Sequence, residues 1–153
     1  MKRLPALIAC CILGFSLLTQ AGGRPGQVAI ASAHPAATVA GLETLAAGGN
    51  AFDAAVAVSA ALAVTEPYGS GLGGGGFFLL RKAGDKPAYH FLDAREKAPQ
   101  AATPDMYREQ PARSLDGALA AAIPGLPAAL ADLASRYGRL PLAASLAPAI
   151  RLA

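Results

Sequence analysis

Arg95 is the most informative charge in this 153-residue chain. It sits in the run Asp93-Ala94-Arg95-Glu96-Lys97, just after a stretch in which six glycines fall between Gly69 and Gly76. A guanidinium is a planar fork that matches a carboxylate, and it stays charged even in a partly buried site. Between Asp93 and Glu96, that fork fits an internal ion-pair network and the binding of a substrate carboxylate equally well. The glycines mark a backbone that takes positive φ or is approached closely. Tight packing beside a core helix is their simpler explanation, and an anion-binding nest the sharper one.

Other chemistry is excluded by context. Gly71, Gly73 and Gly76 match G-x-G-x-x-G, but a dinucleotide site needs that motif after a strand and at the start of a helix. Here it follows a helical pattern and opens a strand. Ser70 is no nucleophile elbow, because Tyr68 and Leu72 stand where G-x-S-x-G requires glycine. His34 and His90 have no carboxylate or cysteine at metal-ligand spacing, so no metal site is expected. His34 reads as the residue at the start of a helix, and His90 as packed or surface.

Export is written at the front. Lys2 and Arg3 precede an apolar run from Leu4 to Leu18, and Thr19-Gln20-Ala21 offers small residues for cleavage before Gly22. Residues 1–21 therefore read as a signal peptide, too short to span a bilayer comfortably. Leu7-Ile8-Ala9-Cys10 loosely matches a lipoprotein box but lies too close to the basic pair. The expected location is periplasmic or secreted, with no membrane attachment after cleavage. Both cysteines, Cys10 and Cys11, leave with the leader, so residues 22–153 hold no disulfide or thiolate site. Losing Lys2 and Arg3 takes the net charge from +3 to +1, and no later basic cluster points to nucleic acid.

The elements that must position Arg95 follow in order. Gln27–Ala33 reads as a short buried strand. A helix starts at Pro35, carries Val39, Leu42, Leu45 and Ala46 at helical spacing, and stops at Gly48-Gly49. Asn50 caps the next helix, with Asp53 at its third position. Ala54 to Thr65 carries no charge, which marks the core helix.

Phe77–Leu80 reads as a strand covered on both faces. AGDKP (Ala83–Pro87) is turn chemistry, so Tyr89–Arg95 forms the second arm of a hairpin. In that arm Tyr89, Phe91, Asp93 and Arg95 share one face. A short helix is expected from Thr103-Pro104-Asp105 to Arg108, and Leu115–Ile123 is ambiguous. Leu126–Tyr137, closed by Gly138, is an amphipathic helix. Leu142–Ala153 is another, bent or restarted at Pro148. The sum is a mixed α and β domain. Because the chain stops inside a helical pattern, it is expected to be the front piece of a longer one.

Four stretches in this order carry a resemblance: SAHPAATVAGLETLAAGGNAFDAAVAVSAALAVTEP, SGLGGGGFFLL, LDAREKAPQAATPDMY and IPGLPAALADLASRYGRLP. From about Val28 to Ala153 the chain resembles the γ-glutamyltransferase (glutathione hydrolase) family. The resemblance implies an N-terminal-nucleophile hydrolase fold, a four-layer αββα sandwich built from a large and a small subunit of one self-cleaving precursor. Residues 22–153 would be the N-terminal portion of the large subunit. In the family, an N-terminal Thr of the small subunit attacks a γ-glutamyl carbonyl with its own amine as base. The acyl group then passes to water, an amino acid or a peptide, without a cofactor.

Glutathione and other γ-glutamyl compounds would be the substrates, and the small subunit the partner. The Arg of the family's D-x-R-E-x-A-P stretch holds the substrate α-carboxylate, which places that role on Arg95. No catalytic residue of the family falls within these residues, so the chain alone is expected to be inactive. A cephalosporin-acylase-like relative, or an inert exported carboxylate-binding protein, would share the same segment.

Overall fold

The computed structural model describes residues 28–153, so the leader and its cleavage site lie outside the described residues. Four α-helices and one hairpin follow in the order α1 (Pro35–Ala46), α2 (Ala51–Thr65), β1 (Phe77–Lys82), β2 (Ala88–Asp93), α3 (Leu126–Tyr137) and α4 (Leu142–Leu152). A 3-10 turn, Pro111–Ser114, lies between the hairpin and α3.

Helix α2 is the centre. Asn50 caps it by accepting the N–H groups of Phe52 and Asp53, and the Asp53 carboxylate accepts the Asn50 N–H in return. That reciprocal box satisfies amides that a helix start otherwise leaves unpaired. Val56, Ala57 and Ala61 are fully buried. One side of α2 meets α1 and α4 through Ala37, Ala40, Ala60, Ala61 and Ala149. The other packs Val56 against Leu80 of β1 and Leu126, Leu130 and Leu133 of α3. Leu146 of α4 touches both clusters and joins them into one core.

The small side chains set the helix spacing. A Cβ on Gly41 of α1 would lie 2.7 Å from both Ile30 Cδ1 and Val58 Cγ2. Helix α1 consequently buries Ala37, Ala40, Gly41 and Thr44, and turns Val39 and Leu42 outward. Of the larger apolar residues at helical spacing, only Leu45 is half-buried, so the small residues form most of the inner face. Close helix approach selects small residues at the contact, whatever their hydrophobicity.

The hairpin is antiparallel, with Phe77 opposite Asp93, Leu79 opposite Phe91 and Leu80 opposite His90. Only one face is covered. Leu80 is buried and Phe78 and Leu92 are half-buried, while Phe77, Leu79, Tyr89 and Phe91 lie exposed. The expectation that β1 is covered on both faces is not met among the described residues. Phe77 and Phe91 stack across the open face with centroids 5.6 Å apart.

Two further expectations are corrected, and a third is narrowed. Residues 28–33 form no strand, because no described strand lies beside them to pair with; Ile30 instead packs over Gly41. Residues 103–108 form successive turns closed by three-residue bonds such as Arg108 N–H to Asp105 O, not a helix. One exposed turn buries too little to offset the cost of nucleating a helix. Of the bend or restart expected at Pro148, helix α4 shows no restart and runs through it from Leu142 to Leu152. The ambiguous stretch 115–123 is neither helix nor strand, save that Ile123 bridges Lys97.

Candidate functional site

Arg95 leaves the end of β2 at a point where three backbone segments meet. Gly76 and Ala94 exchange a pair of backbone hydrogen bonds at 3.2 and 3.0 Å. The Asp93 carboxylate accepts the Arg95 N–H at 2.9 Å. Lys97 and Ile123 exchange another backbone pair at 3.1 and 2.8 Å. From the third segment, the Gly125 and Leu126 N–H groups both donate to Gly74 O at 3.2 Å. The backbone on both sides of Arg95 is thus tied to the glycine loop and to the start of α3.

The loop glycines divide by role. None of those between Gly69 and Gly76 has positive φ. A Cβ on Gly75 would overlap the Ala94 carbonyl oxygen and lie 2.9 Å from both the Glu96 nitrogen and Glu96 Oε2. Gly69, Gly73 and Gly76 face open space. The close approach is therefore to the exit of β2, and not to α2 as the sequence reading has it. The loop lines a cleft of about 560 Å³ together with Ser59, Leu62, Glu96 and Leu126.

The Arg95 side chain is 70% exposed and meets Glu96 through Nε at 3.6 Å. Among the described residues that is its one ion pair, since Asp93 is engaged with the backbone. Both terminal nitrogens of the fork are left for another acceptor. This bears on the choice that composition left open: a single exposed contact is a weak ion pair, and no network closes around the guanidinium.

Arg95 also borders a second cleft, of about 420 Å³, with Asp93, Lys97, Ile123, Gly125 and Asp132. Gly125 and Asp132 were not singled out from sequence. A glycine between two prolines, in Ile123-Pro124-Gly125-Leu126-Pro127, was a signal for the first; Asp132 on a helix face offered none.

The histidines stand apart from this site. His34 caps α1, its Nδ1 accepting the Ala36 N–H at 3.1 Å. His90 lies against Tyr137, 5.7 Å between centroids. Among the described residues no group of three His, Cys, Asp or Glu could hold a metal ion. No described helix is long and apolar enough to cross a membrane. Tyr68, exposed at the loop, has its phenol held above the ordinary value by the hydrogen bond to Glu66 and then by that carboxylate's charge.

The family model described as gamma-glutamyltranspeptidase matches residues 37–153, which include Arg95, the glycine loop and Gly125. The chain belongs to the gamma-glutamyltranspeptidase family. Among relatives, it is 43% identical over 136 residues to the glutathione hydrolase proenzyme of Escherichia coli, covering 85% of this chain and 23% of that one. The structure superposes on the gamma-glutamyltranspeptidase of Helicobacter pylori with a TM-score of 0.78 at 40% identity, covering 85% of this chain and 38% of the other. It also matches the cephalosporin acylase of Bacillus halodurans, with a TM-score of 0.69 at 37% identity over 84% of this chain and 27% of the other. The described residues are a fragment of the N-terminal-nucleophile hydrolase fold of these gamma-glutamyltranspeptidases. The chain spans 23%, 23% and 27% of the lengths of three such relatives.

Proposed function

We propose that this chain is the N-terminal part of the large subunit of an exported γ-glutamyltransferase precursor, and that Arg95 holds the α-carboxylate of its γ-glutamyl substrate. The observation that carries the reading is the free guanidinium fork of Arg95 on a backbone tied at Ala94, Arg95 and Lys97. A bidentate fork on a rigid base fixes both the position and the direction of a carboxylate. Held at that end, the substrate presents its γ-carbonyl a fixed distance away.

The remaining chemistry belongs to residues beyond this chain. An N-terminal Thr hydroxyl, its proton taken by its own α-amine, adds to the γ-carbonyl. Collapse expels the amine of cysteinylglycine or another leaving group and leaves an ester. Water or an acceptor amine then displaces the Thr oxygen. Glutathione is the expected donor, in keeping with the relative named glutathione hydrolase proenzyme. The small subunit of the same precursor is the expected partner, and residues 1–21 direct the product to the periplasm or the medium.

A second reading, a cephalosporin-acylase-like specificity, is favoured by the match to the Bacillus halodurans enzyme. The complete protein, assayed with glutathione and with a glutaryl cephalosporin, separates the two. Glutamate release from glutathione supports the first reading, and turnover of the cephalosporin alone the second. Saturable glutamate binding without turnover of either would identify an inert binding protein.

A further inference from the structure

We infer that Gly125, at the start of α3, is a positioning residue for Arg95. The inference rests on the reading of Arg95 as the carboxylate clamp. A Cβ on Gly125 would overlap the Ala94 carbonyl oxygen and lie 2.7 Å from both Ala94 C and Arg95 O. Those are the atoms of the two peptide groups from which the Arg95 side chain departs. Gly125 touches them because its own N–H and that of Leu126 are held by Gly74 O, while Ile123, two residues earlier, is bonded to Lys97 in both directions.

The β2 exit is therefore pressed between the glycine loop and the first turn of α3. Gly75 closes on the Ala94 carbonyl from the loop and Gly125 from the helix. A glycine is required at 125 for space, since its φ of −98° is open to any residue. Any side chain there must push the Ala94–Arg95 backbone away from α3 or lift α3 off it. Leu126, Leu130 and Leu133 anchor α3 in the core. Ala94 is itself buried, but Asp93, Arg95 and Lys97 around it are exposed, so the strand exit is the part that yields.

The guanidinium then moves with its backbone, and the fork no longer meets a carboxylate fixed by the rest of the site. A misplacement near 1 Å can cost a positioned reaction about 100-fold. Because the clamp acts on the substrate's distal carboxylate, the effect falls on KM more than on kcat.

The test uses the complete protein. Gly125→Ala is expected to raise KM for γ-glutamyl donor roughly 10- to 100-fold with a smaller change in kcat. In an Arg95→Lys background it should add little to KM, since the two changes act through one contact. Gly125→Ala with wild-type KM, or with an undiminished effect in the Arg95→Lys background, overturns the inference. If Arg95→Lys itself leaves KM unchanged, the clamp reading falls and this inference falls with it. If Arg95→Lys raises KM but Gly125→Ala does not, only the positioning role is lost. Should Gly125→Ala not be recovered, Ile123→Pro decides by the same criteria, since it deletes the N–H that donates to Lys97 O without adding bulk beside Ala94.

Discussion

The buried carboxylate of Asp53 accepts the backbone N–H of Arg139 at 2.9 Å, 86 residues further along the chain. The same carboxylate accepts Leu140 N–H at 3.3 Å and Asn50 N–H at 2.8 Å, so one side chain ties the start of α2 to the turn between α3 and α4. Asn50 reinforces the tie by donating to Tyr137 O at 2.7 Å. Gly49 and Gly138 leave the space: a Cβ on Gly49 would lie 3.0 Å from Asp53 Cβ, and one on Gly138 would overlap Asp53 Oδ1.

Asp53→Ala is therefore expected to be among the most damaging single changes. It strips three buried or half-buried N–H groups of their acceptor, at about 1–3 kcal/mol each. Asp53→Asn should be milder but still destabilising, because its amide brings donors toward donors. Thermal unfolding of the complete protein measures both, and an unaltered melting temperature for Asp53→Ala would refute the tie.

Two glycines of the loop should respond in opposite ways. Gly75→Ala forces the Ala94–Glu96 backbone aside and should cost about 1–3 kcal/mol. Gly73→Ala meets open space at ordinary φ and should stay within about 0.5 kcal/mol of the parent. Equal losses at both positions would contradict the division of the loop.

Arg95→Lys replaces a fork with a point charge. A charged hydrogen bond is worth about 1.5–3 kcal/mol, so KM for glutathione should rise roughly 10- to 100-fold. Steady-state kinetics on the complete protein read this directly. Wild-type KM in the variant would sink the assignment of the carboxylate to Arg95.

The Tyr68 phenol titrates above its ordinary range because the Glu66 carboxylate accepts its proton's hydrogen bond and repels the phenolate. The sign follows from the raised value: the contact's contribution is complete below the ordinary phenol pKa, about 10, and is lost as pH climbs through the folded value. Glu66→Gln should bring one tyrosine's titration back toward ordinary in an ultraviolet difference experiment. Superimposable titrations of parent and variant would exclude the interaction.

Ser145 is fully buried in α4, and its hydroxyl has no hydrogen-bond partner among the described residues. Ser145→Ala removes an unsatisfied polar group from the core and should be neutral, or stabilising by about 1 kcal/mol. A clear drop in melting temperature would mean that the hydroxyl is satisfied in the complete protein.

Local signals were legible because their physics is local. Pro35, the Asn50–Asp53 box, the AGDKP turn and Gly138 each act within a few residues, and α1, α2, the hairpin and α3 stand where those residues place them. The order of the four motif stretches was likewise enough for the family. What failed depended on partners. Gln27–Ala33 has strand composition, but a strand needs a neighbour to bond. Val39 and Leu42 have the right spacing for a buried face, yet Gly41 and the alanines won the contact with α2 because they admit a closer approach.

Arg95 shows the same division. Its residue type and its Asp93–Glu96 surroundings, read along the chain, established that a guanidinium fork suited to a carboxylate was present. Whether that fork was spent on its neighbours depended on where Asp93 turned, and Asp93 turned to the Arg95 N–H. That Gly75 and Gly125 both close on the Ala94 carbonyl is a matter of three backbones meeting. Excluded volume between segments distant in sequence leaves no trace in composition or period, so only the tertiary structure decided it.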